Sequence, residues 1–443
     1  MKLFFLLFII ALLPIVGISN PMVPSKSVYA KDFGVVADGK VFDSDALQKA
    51  IDSLTVSGGG GGNVYLPAGV MLLDKTVQVY ENVMLIGDGA SWENTASTFH
   101  VKHKNGPAFQ IFSYCGIKGV AIYYPDNLTD EKMITPDEYP PSIEMWGCNV
   151  TLDYINFDGA WIAVSSAPGG ANAGQCLFKN INGFAHYRGF YQSGAMDVNR
   201  YENIHWFPSR INRMYEGTFF QKNLIAFEFG RQDGFMMDRC FIIGGKGFFK
   251  QSLHTAKGEP EWSHSLGYSF NNCWIEDVDI GFDFEGVCGF TIIGSNILIR
   301  ENGIGVRVAN ECIAYNAVIS GVQIRGFTED KPFIGIDYNM TYKYWQPNAL
   351  NKLSITDCQI QNGKPTIRLT DTAMRTFIKG NLLRGATGYS AIEIAPKADY
   401  FTITDNIIQT DENNTTIEPI DNKAGAGKTK ILRDNIIEDL SIN

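Results

Sequence analysis

The chain has no basic block. Lysine and arginine total 37 against 47 aspartates and glutamates, the formal net charge is −10, and the cations are scattered. Sequence-independent nucleic-acid binding needs clustered Lys and Arg against phosphates, so that class is disfavoured. Cysteine is sparse and spaced wrongly for a metal or redox motif. The eight residues stand at 115, 148, 176, 240, 273, 288, 312 and 358, with no C-x-x-C pair. No metal site or cofactor is expected from that pattern. The five-glycine run Gly58–Gly62 lacks the Lys-Ser/Thr ending of a phosphate-binding loop. Beyond residue 18 no apolar run reaches the ~20 residues that span a bilayer as a helix.

The first segment is built differently from the rest. Met1-Lys2 leads into an apolar run, Leu3 to Ile18, with Gly17 and Ser19 small enough for a cleavage site. This is the pattern of a secretory signal peptide over residues 1–19. A soluble, exported protein is expected after its removal, with no membrane partner. Residues 20–63 are expected to form an N-terminal strand and a helix. Asp43, Ser44 and Asp45 offer N-caps and suit the helix dipole. Leu47, Ala50, Ile51 and Leu54 then share one helical face.

Residues 64–443 are expected to form a solenoid. Apolar residues make up 45% of the chain, and 45 glycines are spread along it, which suits many short strands and tight turns. One strand type recurs as apolar-outward-apolar: Phe109-Gln110-Ile111, Ile143-Glu144-Met145, Phe227-Glu228-Phe229, Phe282-Asp283-Phe284, Val306-Arg307-Val308, Ile336-Asp337-Tyr338, Ile367-Arg368-Leu369, Ile392-Glu393-Ile394. A second type follows Cys, Asn or Gly, as in Cys240-Phe241-Ile242, Cys273-Trp274-Ile275, Asn381-Leu382-Leu383 and Asn406-Ile407-Ile408. The types alternate, and a period of two sends one side chain inward and the next outward. Stacked repeats of this kind predict a single-stranded parallel β-helix. The outward column reads Glu228, Phe249, Asp283, Arg307, Asp337, Arg368, Glu393, and the Cys and Asn positions are expected as inward ladders.

The start of the body also carries a family resemblance. The stretch KDFGVVADGKVFDSDALQKAIDSL, followed by GGGGGNVYLPAGVMLLDKTVQVYENVMLIGDG, resembles the opening of the pectate-lyase-like superfamily of right-handed parallel β-helices. That superfamily includes polygalacturonase relatives and phage tailspikes. The detailed likeness runs from Val28 to Gly89 and departs at Val41-Phe42-Asp43-Ser44-Asp45, where the family reads closer to Thr-Asp-Asp-Thr. The resemblance implies an all-β solenoid with an N-terminal capping helix and a polysaccharide-directed protein, monomeric or homotrimeric. It transfers no catalytic residue. The polygalacturonase set (Asn-Thr-Asp, Asp-Asp, Gly-His-Gly, Arg-Ile-Lys) and the Asp-Pro-His-Asp motif of mannuronan epimerases are absent.

The candidate chemistry lies in acids. Glu276, Asp277, Asp279, Asp283 and Glu285 fall within ten residues. Asp283 and Glu285 are i and i+2 on one strand, roughly 6.5–7 Å apart along the backbone. Glycoside hydrolysis needs two such carboxyl groups, and the spacing leans to inversion. Glu228 and Asp337 are further catalytic candidates on the same column. Three stretches exceed the repeat: Tyr123–Pro141, Pro208–Asn223 and Lys250–Leu266. With their surroundings they offer Trp262, His264, His205 and Trp206 for sugar contact, alongside Arg307. A secreted glycosidase is expected. The alternatives are a uronate lyase or epimerase, with Arg300, Arg325 and Arg384 as a basic stripe and Ca²⁺ as a possible helper, and a non-catalytic carbohydrate-binding adhesin. The charge column has a plainer reading too, as a surface ion-pair ladder.

Overall fold

The computed structural model describes residues 26–55, 60–91, 95–166, 172–208, 216–252, 267–286, 289–309, 316–327, 331–339, 353–371, 373–410, 417–424 and 430–439. The expected signal peptide lies outside them, as do Trp262 and His264.

Every strand pairing among these residues is parallel, and the strands form three faces of a right-handed β-helix. The first face runs through Phe235–Asp238, Tyr268–Asn271, Phe290–Ile293 and Ala317–Ser320. The second runs through Phe241–Ile243, the start of Trp274–Phe284, the start of Asn296–Val308 and Gln323–Gly326. The third runs through Ile225–Phe229, Gly247–Gln251, the end of Trp274–Phe284, the end of Asn296–Val308 and Ile334–Tyr338. Neighbouring rungs stand ~4.8 Å apart, so the pattern of one rung is read directly against the next.

The corner between the first and second faces explains the Cys and Asn positions. Each rung turns there through a left-handed residue: Asn203, Arg239, Asn272, Gly294, Gly321, Asp357, Gly380, Asp405, Asp434. Gly, Asn and Asp tolerate that conformation best. The following residue points inward and bonds to the next rung. The Asn406 side chain donates to the carbonyls of Ile378 and Thr404 and to Asn435 Oδ1, and accepts from the backbone and side chain of Asn381. Cys115, Cys176, Cys240, Cys273 and Cys358 are buried, and the described cysteines are all free thiols. Burial pushes the Cys273 thiol up to about 12, which keeps it un-ionised and inert.

The interior is apolar and, mid-solenoid, aromatic. Phe190, Phe227, Phe249 and Phe282 stack rung on rung on the third face. The helix Ser44–Thr55 buries Leu47, Ala50, Ile51 and Leu54, as its periodicity requires. Its Gln48 receives the backbone N–H of Gln78, fastening the helix to the first strand of the third face.

Candidate active site

The third face carries an outward column whose register differs from the expected one at one rung. Glu228 pairs with Lys250, not Phe249, and Lys250 with Asp283. The column then continues through Arg307, Asp337, Arg368, Glu393 and Asp421. Phe249 is an inward residue of the aromatic stack, and it is fully buried. The cause is Gln251, an inward polar residue where the pattern expects an apolar one. Its side-chain oxygen Oε1 is satisfied inside by the N–H of Gly286 at 2.5 Å.

Most of the column is a ladder of ion pairs. Asp283 accepts from Arg307 Nε at 2.7 Å and Nη2 at 2.5 Å, a bidentate geometry. Asp337 accepts from Arg368 in the same way, at 2.9 and 2.8 Å. Glu228 is bonded to Arg188, an outward residue of an earlier rung, and both side chains are nearly buried. Three of the four acids singled out from sequence are thus committed to arginines.

Glu285 is different. It lies one alternation beyond Asp283, and its backbone N–H bonds to the Gln251 carbonyl. The register puts Ser252 beside it on the preceding rung and Ala309 on the next. Its side chain is 29% exposed, and its nearest cation is Arg307 at 3.9 Å. Burial raises its pKa, Lys250 and Arg307 pull it down, and Asp283 and Glu228 push it up. One guanidinium nitrogen of Arg307 contacts both Asp283, at 2.5 Å, and Glu285, at 3.9 Å. The two carboxyl oxygens therefore lie no further apart than those distances laid end to end.

Other expected site residues fall elsewhere. Trp206 is fully buried, packed against Phe157 and Phe190. On the strand Asn199–Trp206, alternation sends Trp206 inward and its neighbour outward, so it cannot touch a sugar. His205 is outward but on the second face, half-buried with its ring edge to Phe241. Burial lowers its pKa. It does not join the column of the third face. Arg300 does not form a stripe with Arg325 and Arg384. It bonds to Asp277 and Asp279 and to the carbonyls of Gly244 and Gly245. Arg325 and Arg384 are separated in register by Gln361.

Sequence reasoning missed Lys250, Ser252, Arg188 and Tyr191. Tyr191 stands next to Glu228 in the column, its pKa raised by burial and then by Glu228. The signal that finds Lys250, Ser252 and Tyr191 is the same: the outward position must be counted from Phe190 and Phe249, allowing Gln192 and Gln251 to point inward. Further along, Asn339, Arg368, Thr370, Glu393 and Lys423 line a cleft of about 490 Å³. Among the described residues, no group of three or more His, Cys, Asp or Glu gathers as a metal site.

Residues 27–106 match the family described as rhamnogalacturonase A/epimerase, pectate lyase-like. A mannuronan C5-epimerase of Azotobacter vinelandii is 42% identical over 60 residues, a stretch covering 14% of this chain and 4% of the epimerase. Among solved structures, gene product 12 of bacteriophage phi29 aligns with a TM-score of 0.65 at 12% identity, over 89% of this chain and 54% of that one. The tailspike of E. coli bacteriophage HK620, solved with a pentasaccharide, aligns with a TM-score of 0.54 at 13% identity, over 93% and 78%. These structural likenesses concern the fold.

Proposed function

We propose, from the premise that this chain is a pectate-lyase-like right-handed parallel β-helix protein, that it is an exported glycoside hydrolase with Glu285 as its proton donor. The observation that carries the reading is the contrast within the acid cluster: Glu285 combines a raised pKa with a cation no nearer than Arg307 at 3.9 Å, while Asp283 is held by two hydrogen bonds from Arg307. A general acid must hold a proton near working pH, and burial beside other carboxylates is how proteins arrange that. Glu285 then protonates the leaving glycosidic oxygen. Asp283 has lone pairs left beyond its two bonds to Arg307, and it receives the proton of the water that adds at the anomeric carbon. The fold match to a tailspike solved with a pentasaccharide supports a saccharide on such a solenoid.

A second reading, a lyase or epimerase acting on uronates, is favoured by Lys250 and Arg307 flanking Glu285. Both would neutralise a uronate carboxylate while a base removes the adjacent proton. The epimerase relative and the family description point the same way. Digestion of a polysaccharide panel separates the readings. Hydrolysis gives new reducing ends without ultraviolet absorbance, and elimination adds the absorbance of a conjugated double bond. Binding with no product sinks both in favour of an adhesin.

A further inference from the structure

The third face holds a second constellation, upstream of the acid cluster, that the proposed chemistry does not use. Tyr80, Phe112 and Trp146 occupy the outward position one alternation beyond the first-type strands on three successive rungs. The latter two are tied to the preceding rung, Phe112 N–H to the Val79 carbonyl and Trp146 N–H to the Ile111 carbonyl. The rings of Tyr80 and Phe112 stack, with centroids 5.8 Å apart and planes at 26°. Trp146 follows them on the next rung and is 42% exposed.

The outer two rings, Tyr80 and Trp146, are held by a chain of side-chain hydrogen bonds. Tyr80 Oη donates to Gln78 Oε1 at 2.6 Å, and Gln78 Nε2 to Gln110 Oε1 at 3.2 Å. Gln110 Nε2 donates to Glu144 Oε2 at 3.3 Å, and Trp146 Nε1 donates to the same oxygen at 2.7 Å. The aromatic faces are therefore fixed before any ligand arrives, which lowers the ordering cost of binding. A cleft of about 510 Å³ opens against Tyr80 and Phe112 and is also lined by Glu81 and Asn82.

We infer that this strip is a saccharide subsite for neutral sugar units of the chain cleaved at Glu285. The inference rests on the proposed polysaccharide track and narrows its substrate class. A rigid apolar ring face with polar groups at its rim suits the C–H face and hydroxyls of a pyranose. The charges on the strip, Glu81 and Glu144, are acidic, and neither forms an ion pair with a cation among the described residues. A uronate would meet like charge there. The outward column then runs on through Ser193, Gly230 and Ser252 to Glu285. That is five rung steps from Trp146, or ~24 Å, the reach of a short oligosaccharide.

The test is calorimetric binding of neutral hexasaccharides (gluco-, manno-, galacto- and xylo-series) and of hexagalacturonate and hexamannuronate to wild type, Trp146→Ala, Trp146→Phe and Glu285→Gln. A neutral hexasaccharide is expected to bind. Trp146→Ala weakens that binding about tenfold, equivalent to ~1.4 kcal/mol, with the urea midpoint unchanged and with partial recovery in Trp146→Phe. Glu285→Gln binds like wild type. Failure of every neutral probe to bind, unchanged affinity in Trp146→Ala, or tighter binding of the uronates overturns the inference. Full-rate cleavage by Glu285→Gln with Trp146-dependent binding intact instead sinks the catalytic reading and leaves the subsite standing.

Discussion

Removing Arg307 separates the ladder from the site. In Arg307→Met the carboxylate of Asp283, only 5% exposed, loses both of the hydrogen bonds that Arg307 donates. Stranding one member of a fully buried ion pair costs about 3–5 kcal/mol. Here the arginine is 38% exposed and solvent screens the pair. Lys250 also stands against Asp283 from the other side. The expected loss is therefore smaller, about 1–3 kcal/mol, read from urea unfolding at neutral pH. Replacing both partners, Asp283→Leu with Arg307→Met, removes the stranded charge and should recover most of that loss. Arg307 also pulls the Glu285 pKa down, so the single substitution should raise it further and move the basic limb of any activity profile to higher pH. A double variant whose loss equals the sum of the singles, or a single variant that unfolds like wild type, would refute the pairing argument.

Other consequences follow from the same structure. Glu285 has a raised pKa in the fold, so the native state holds its proton more tightly than the unfolded chain does. Its contribution to stability is full below the unfolded value of ~4.3 and is lost as pH rises through the folded value. Glu285→Gln should accordingly match wild type in urea at low pH and exceed it at neutral pH. Asn406→Ala leaves buried carbonyls of Ile378 and Thr404 short of a donor and should cost about 2 kcal/mol or more in the same assay. Trp206→Ala opens a hole against Phe157 and Phe190 and should cost about 3–5 kcal/mol.

The fold was legible because a β-helix writes its period into every rung. Inward positions such as Phe227, Phe282 and Ile336 had to be apolar, and the left-handed corner favours Gly, Asn or Asp, with Arg239 an exception. Where an inward position is polar, the alternation misleads. Gln251 shifted the reading by one residue, promoted Phe249 to the surface and hid Lys250. The site was less legible, since alternation says inward or outward but not which of three faces. His205 is outward on the second face and the acid column is outward on the third. Nor could residue type separate an acid held by arginine from one left nearly alone. Asp283 and Glu285 look alike in sequence, and only the reach of Arg307 tells them apart.

The most direct measurement is the rate at which Glu285→Gln releases reducing ends from a polysaccharide that the wild-type protein cleaves. With Glu285 as the proton donor, the rate falls about 10²–10⁴-fold while the unfolding midpoint at neutral pH holds or rises. A rate within a few-fold of wild type would contradict the assignment.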